Sequence, residues 1–279
     1  LESGVKKLTV EGQIATGEVP FVSLTKSIGF FEKIDLSSIQ YAEGAQVSVE
    51  DLTDNTVLNL IEYNIDTTLN GNIFTIRVYG PDINDPNALS FVGQVDHSYK
   101  LNIDYEGENY TSITKIPAGT GLDSLWLEPY APNPVSFKVL WVIYDDPDTL
   151  GNNALYRTRR RSLGVGTNNG WEEAFDNDFD DVVINGSRLP FNMDVGFDAS
   201  DSTFDFQTAN LVRRGDSIDI RWTAVDRPVY DFWNTLSFSE GSLGNPFASP
   251  VQVKSNISND AYGVWAGYGH NYYTIIDSL

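Results

Sequence analysis

Cysteine is absent from the 279 residues, and methionine and histidine are nearly so, with one and two copies. Without cysteine there are no disulfides, no thiolate-held zinc and no thiol nucleophile. Basic residues are scarce as well: 18 Lys and Arg stand against 39 Asp and Glu, a net charge of −21. The surplus is spread along the chain, with 17 acids and 7 bases in residues 1–117 and 22 and 11 in the remainder. Such a field repels a phosphate backbone and an anionic membrane surface, so no nucleic-acid partner is expected. No apolar run approaches the roughly 20 residues that span a bilayer as a helix. No signal-peptide pattern opens the chain either. The expectation is an exported sequence that begins after processing, with any membrane attachment supplied by a lipid or a partner.

What is present is core material and turns. Hydrophobic residues make up 41% of the chain and aromatics 13%, enough for packed interiors, and the length suits two domains. Pro20–Thr25 and Ala45–Glu50 alternate apolar and polar residues with period two, the mark of half-buried strands. Tyr99–Tyr105 and Tyr110–Ile116 flank a Glu106-Gly107-Glu108-Asn109 turn and read as a hairpin. Between Ile61 and Tyr99 the sequence reads as a Gly- and Asn-rich loop. The fold class expected is all-β, with two β-sandwich-like domains. The first, 1–118, is immunoglobulin-like in its roughly seven short strands, without that fold's Cys and Trp markers. Pro117–Gly121 breaks the pattern, and 119–279 forms the second β-rich domain. One helix is predicted over Pro228–Ser239, with Asp226 as cap, Pro228 in its first turn and Val229, Phe232, Trp233 and Leu236 at helical spacing. The aromatic, Gly-rich segment Tyr262–Tyr273 is expected to be a final hairpin.

No catalytic constellation stands out. His97 and His270 fall in different predicted domains, and neither lies near a nucleophile in sequence. Gly215-Asp216-Ser217 is similar to an esterase nucleophile motif but directly precedes a strand, where a tight turn is the better reading. Asp176, Asp178 and Asp180 alternate as calcium ligands do, yet the segment lacks the Gly and Glu that complete an EF-hand loop. A second acidic loop is Asp145-Asp146-Pro147-Asp148. For both, a solvated loop is the preferred reading over a calcium site, and no other cofactor is expected.

Arg157, Arg159, Arg160 and Arg161 form the one basic run. On a strand, Arg157, Arg159 and Arg161 share a face opposite Tyr156, Thr158 and Arg160. They suit an acidic partner or ligand, or equally the protein's own acids. Phe247, held between two prolines in Gly244–Pro250, and the aromatics Trp265 and Tyr268 are further candidates for partner or ligand binding, against the commoner fate of core packing.

Tyr230-Asp231-Phe232-Trp233, Gly244-Asn245-Pro246-Phe247-Ala248-Ser249-Pro250, Lys254–Ser258 and Gly263–Tyr268, with Leu8–Gly12, Ile116-Pro117 and Leu122–Trp126, resemble a domain-of-unknown-function family numbered four-two-four-nine. That family belongs to exported proteins of Bacteroidota. The resemblance implies a lipoprotein at the outer membrane, anchored by a lipidated cysteine upstream of Leu1 and facing the cell surface. It implies a TonB-dependent-receptor-like β-barrel as partner, and it carries no catalytic residues over. The expected function is therefore that of a non-enzymatic accessory subunit of such a barrel. The alternative is a stand-alone surface module that binds a glycan or peptide, and a third reading is a hydrolase with an acidic pair.

Overall fold

A computed structural model describes residues 6–27, 39–69, 72–161, 170–174, 177–180, 182, 184–196, 205–241 and 251–277. The chain divides into two compact units. Unit 1 takes residues 1–117 and 226–268, and unit 2 takes 118–225 and 269–279. The first break falls at the predicted Pro117–Gly121 boundary. The return of residues 226–268 to unit 1 has no local signal in the linear pattern.

Unit 1 opens with β1 (Leu8–Ala15), β2 (Phe21–Lys26), β3 (Gln46–Asp51), β4 (Thr56–Leu69) and β5 (Asn72–Gly80). A short α1 (Pro86–Leu89), β6 (Ser98–Tyr105) and β7 (Glu108–Lys115) follow. The strands pair in the order β1-β2-β5-β4 and β4-β3-β6-β7. This is the A-B-E-D and C-F-G arrangement of an immunoglobulin-like sandwich. β4 serves both sheets: Thr56–Leu60 pair with β3, and Ile61–Leu69 pair with β5. Alternation places Val10, Val22, Leu24, Val49, Leu101 and Ile103 in one core, all at most 1% exposed. The β6–β7 loop is the predicted hairpin turn, with Glu106 and Gly107 both at positive φ (51° and 86°), as a type I′ turn requires. Tyr99, second in β6 and fully buried, accepts a hydrogen bond at its hydroxyl from the Gln94 amide at 2.9 Å. That is the tyrosine corner of immunoglobulin-like folds, present where their Cys and Trp markers are not.

Of the stretch read as a loop between Ile61 and Tyr99, the part up to Gly80 is instead the rest of β4 together with β5, and the loop with α1 in it begins at Pro81. The alternation in β4 points outward: Ile61, Tyr63 and Ile65 lie on the face opposite the buried Leu58 and Leu60. The polar residues between them carry no core signal.

Unit 2 contains β8 (Leu122–Pro129), β9 (Phe137–Asp145), β10 (Asn153–Arg161), β11 (Asp178–Phe179), β12 (Arg188–Met193), β13 (Val212–Arg213) and β14 (Ser217–Val225). β9 pairs with β8, β12 and β13, while β10 lies between β11 and β14. Both groups feed a second core, with Leu140, Val142 and Tyr144 from β9 meeting Tyr156 from β10 and Ile218, Ile220 and Trp222 from β14.

The predicted helix is α2 (Arg227–Gly241), and it belongs to unit 1. Asp226 caps it through Oδ1, which accepts from the Val229 amide at 3.1 Å. The other carboxyl oxygen ties the helix start to β7, accepting from the Lys115 amide at 2.8 Å and the Thr114 hydroxyl at 3.0 Å. Burial raises the Asp226 carboxyl above its ordinary range, against these three donors. Val229 and Phe232 are buried, and Trp233 donates to the Tyr268 hydroxyl at 3.0 Å.

The expected terminal hairpin is one strand, β15 (Tyr262–Ile276). Its first half pairs in parallel with β1 and its second half antiparallel with β14. The glycines there serve close approach and not a turn. A Cβ on Gly263, at φ 108°, would meet the Val10 carbonyl oxygen at 1.8 Å, and one on Gly267 would meet the Lys115 carbonyl oxygen at 2.6 Å.

Candidate functional site

β10 carries the arginine row in the predicted register. Tyr156 and Thr158 are buried, and Arg160 turns to the same side. There Arg160 donates to Asp216 at 3.1 Å and to the Ala209 and Leu211 carbonyls at 3.1 and 2.9 Å. Arg157, Arg159 and Arg161 emerge on the other side. Arg159 grips Asp219 through two donors at 3.1 and 2.8 Å, Arg161 bonds the same carboxylate, and Arg157 bonds Glu173. Burial works to raise the Asp219 carboxyl, but hydrogen bonds from Arg159, Thr274 and Arg161 outweigh it and hold it below its usual range. Much of the row thus neutralises the protein's own acids.

The neighbouring strands enlarge this face. Arg157 lies opposite Arg221 of β14, which lies opposite Tyr272 of β15. Trp171 packs on top, with the guanidinium carbons of Arg159 and Arg221 each 4.8 Å from its ring centre and the Tyr272 ring at 6.0 Å. Cations held against an indole face gain from its quadrupole. His270 closes one end, its Nδ1 2.9 Å from the Thr223 hydroxyl. Burial, then the charges of Arg221 and Arg157, push its pKa down to about 4, so the imidazole is neutral near pH 7. Among the described residues the face gathers Arg157, Arg159, Arg161 and Arg221, with Glu173 and Asp219 bonded to the first three, in a strongly acidic protein. Chemically it can hold an anion beside an aromatic platform.

Sequence reasoning found the β10 arginines but missed Trp171 and Arg221. Arg221 could have been found from the period-two pattern Asp219-Ile220-Arg221-Trp222, which alternates between this face and the core. Trp171 sits outside any regular element and offered no signal.

The remaining candidates are placed elsewhere. Trp265 is fully buried in unit 1, its indole N–H donating to the Tyr99 carbonyl at 3.0 Å. It is therefore a core residue and is closed to a partner or sugar. Tyr268 is half-buried, with its hydroxyl engaged by Trp233. Phe247 and Asp176 lie outside the described residues. Asp178 lies in β11, and Asp180 accepts from the Val182 amide at 2.9 Å. Asp216 caps a turn, accepting from the Arg213 amide at 3.0 Å.

The fold also joins residues not linked in the sequence reading. His97 Nδ1 lies 2.8 Å from Asp51, which accepts in addition from the amides of Thr53 and Asp54 at 2.8 and 3.2 Å. Burial acts to raise the Asp51 carboxyl, but the bond to His97 and the two amides outweigh it and hold it low. One potential ligand atom from each of Asp51, Asp54 and His97 lies within 4.8 Å of the others. The bonds already made explain the cluster as the anchor of the β3–β4 turn. Among the described residues no hydroxyl bonds the His97 ring.

No curated protein and no solved structure matches the chain. A family profile described as a domain of unknown function, DUF4249, matches residues 1–271, in accord with the motifs at both ends of the sequence. The chain belongs to the DUF4249 family.

Proposed function

We propose that this protein is a non-catalytic, lipid-anchored outer-membrane subunit that docks on a TonB-dependent-receptor-like β-barrel through the outer face of the β4–β5 hairpin. One observation carries the reading. Ile61, Ile65 and Ile76 on that face are 41%, 46% and 37% exposed, and Ile65 and Ile76 stand directly opposite each other. Tyr63 and Val78, the next pair on the same side, are half-buried. Sheet faces turned to water normally alternate to polar residues here, and an apolar one marks an interaction surface. β3 pairs with β4 only as far as Leu60, so among the described residues the outer edge of β4 beyond it carries no strand. An open edge beside an apolar face suits a β-rich partner. Among the described residues no helix is long and apolar enough to cross a membrane. Purification of the native protein in mild detergent tests it. A co-purifying barrel, lost on Ile65→Asp with the fold intact, is expected; recovery as a lone monomer defeats the proposal.

The Trp171 stack favours a second reading, a surface module for an acidic glycan or peptide. Binding to carboxylated oligosaccharides, absent for neutral ones and abolished by Trp171→Ala, would support it over the first.

A further inference from the structure

The acidic loop Asp145-Asp146-Pro147-Asp148 leads from β9 to β10, with Asp145 and Asp148 exposed and Asp146 turned inward. Asp146 is 4% exposed and Asn153, at the start of β10, 1%. In both, Oδ1 is sealed from solvent and receives no hydrogen bond, and the same is true of Oδ1 of Asn185 on the loop before β12. Buried polar atoms are ordinarily satisfied, and leaving one bare costs about 1–3 kcal/mol. Three such oxygens lie on the loops 145–153 and 184–187, and a hard cation is one partner that would satisfy them.

The other polar atom of each side chain is tied, which fixes how the free oxygen is presented. Asp146 Oδ2 accepts from the Gly186 amide at 3.1 Å. Asn153 donates its amide nitrogen to the Gly151 carbonyl at 3.2 Å, and Asn185 donates its own to Asp148 at 3.2 Å. The loops are also joined through their main chain, the Asp146 amide donating to the Ser187 carbonyl at 3.0 Å. The pairing of Ala154 with Phe179 and Leu155 with Asp178 brings the Asp178–Asp180 segment alongside the start of β10. Asp146 and Asp148 have no ion pair with a described Lys or Arg; nearby Arg188 is engaged by Asp123 and Asp145.

We propose that the loops 145–153 and 184–187 of unit 2 bind a calcium ion through Oδ1 of Asp146, Asn153 and Asn185, with the Asp148 carboxylate beside them. The donors are all hard oxygens, from a carboxylate and two amides, on irregular loops. That chemistry suits calcium, disfavours zinc, which prefers nitrogen and sulfur, and disfavours magnesium, which demands a strict octahedron and keeps its water. The aspartate pattern at 176–180 is then a neighbour of the site and not its centre.

The test uses the whole chain, stripped with EDTA and titrated with calcium chloride or magnesium chloride by calorimetry and thermal melting. Saturable calcium binding is expected, with a rise in melting temperature of several degrees that magnesium does not reproduce. Asp146→Asn, which keeps the shape and removes the charge, should weaken binding by about tenfold or more. Asn185→Ala should do the same and serves if Asp146→Asn does not fold. Neither heat nor stabilisation up to about 10 mM calcium, beyond the weakest extracellular sites, would overturn the proposal. So would binding that survives both variants but is lost on Asp54→Asn, which would move the ion to the His97 cluster.

Discussion

Unit 1 and unit 2 each enclose one fully buried tryptophan whose indole N–H donates to a main-chain carbonyl at 3.0 Å: Trp265 to Tyr99 in the first, Trp222 to Thr120 in the second. The surroundings differ. Trp265 sits in a core dominated by Val, Leu and Ile from regularly alternating strands. Trp222 is packed by Tyr144, Tyr156 and Phe179, with ring centres 5.3, 6.4 and 5.1 Å away. Unit 2 has two strands of only two residues, so fewer strand positions contribute and each must fill more space. Large rings do this, at the cost of hydroxyls that must find partners. Tyr156 and Tyr273 find them in the Asp194 carbonyl and the Leu122 amide. The outer surfaces differ in kind as well: among the described residues unit 1 bares an apolar hairpin face, and unit 2 one lined by paired arginines and aromatic rings.

The contrast can be broken most forcefully at the two tryptophans. Trp265→Ala and Trp222→Ala should each cost about 3–5 kcal/mol. Hydrogen exchange should locate the loss in unit 1 for the first and in unit 2 for the second; a loss in the same unit from both would refute two separate cores. Next in size is Asp226→Ala, which removes the α2 cap and its tie to β7. It should cost about 2–3 kcal/mol in denaturant unfolding and expose the amides of Lys115 and Val229 to exchange.

A third test separates the units by pH. His270 has a folded pKa of about 4 against 6.5 in the ordinary state. Above pH 6.5 both states are neutral and nothing changes. As pH falls from 6.5 towards 4, the unfolded chain takes up a proton that the folded one refuses, and unit 2 should lose up to about 3 kcal/mol. His270→Asn should flatten that limb of the curve. Asp51 in unit 1 acts in a lower window: its lowered carboxyl gives stability present above its ordinary 3.8 and lost only as pH falls below that value. The smallest expected effect is Tyr99→Phe, about 1 kcal/mol from the bared Gln94 amide, with exchange quickened at that corner alone.

The sequence pattern made legible whatever depends on local alternation. The strands lining the unit 1 core, the Glu106-Gly107 turn, the capped helix and the division of faces along Arg157–Arg161 are all visible in period and spacing. What failed has a common physical cause. Gly263 and Gly267 look like turn residues but make room for Val10 and Lys115, distant partners that no local window contains. Ile61, Tyr63 and Ile65 alternate faultlessly, yet on the outer side, where apolar residues are not expected. Trp171 gains its place only when Arg159 and Arg221, far apart in sequence, come to lie on adjacent strands. The bare oxygens of Asp146, Asn153 and Asn185 are a property of burial, which composition does not reveal.

The proposed docking face is tested most directly by photo-crosslinking in intact cells. A benzophenone amino acid is placed at Ile65, and as a control at Leu150, an exposed apolar residue of unit 2. The account predicts a single heavy adduct with an outer-membrane β-barrel protein from position 65 and none from position 150. Equal yields from both positions, or adducts with no barrel protein, would contradict it.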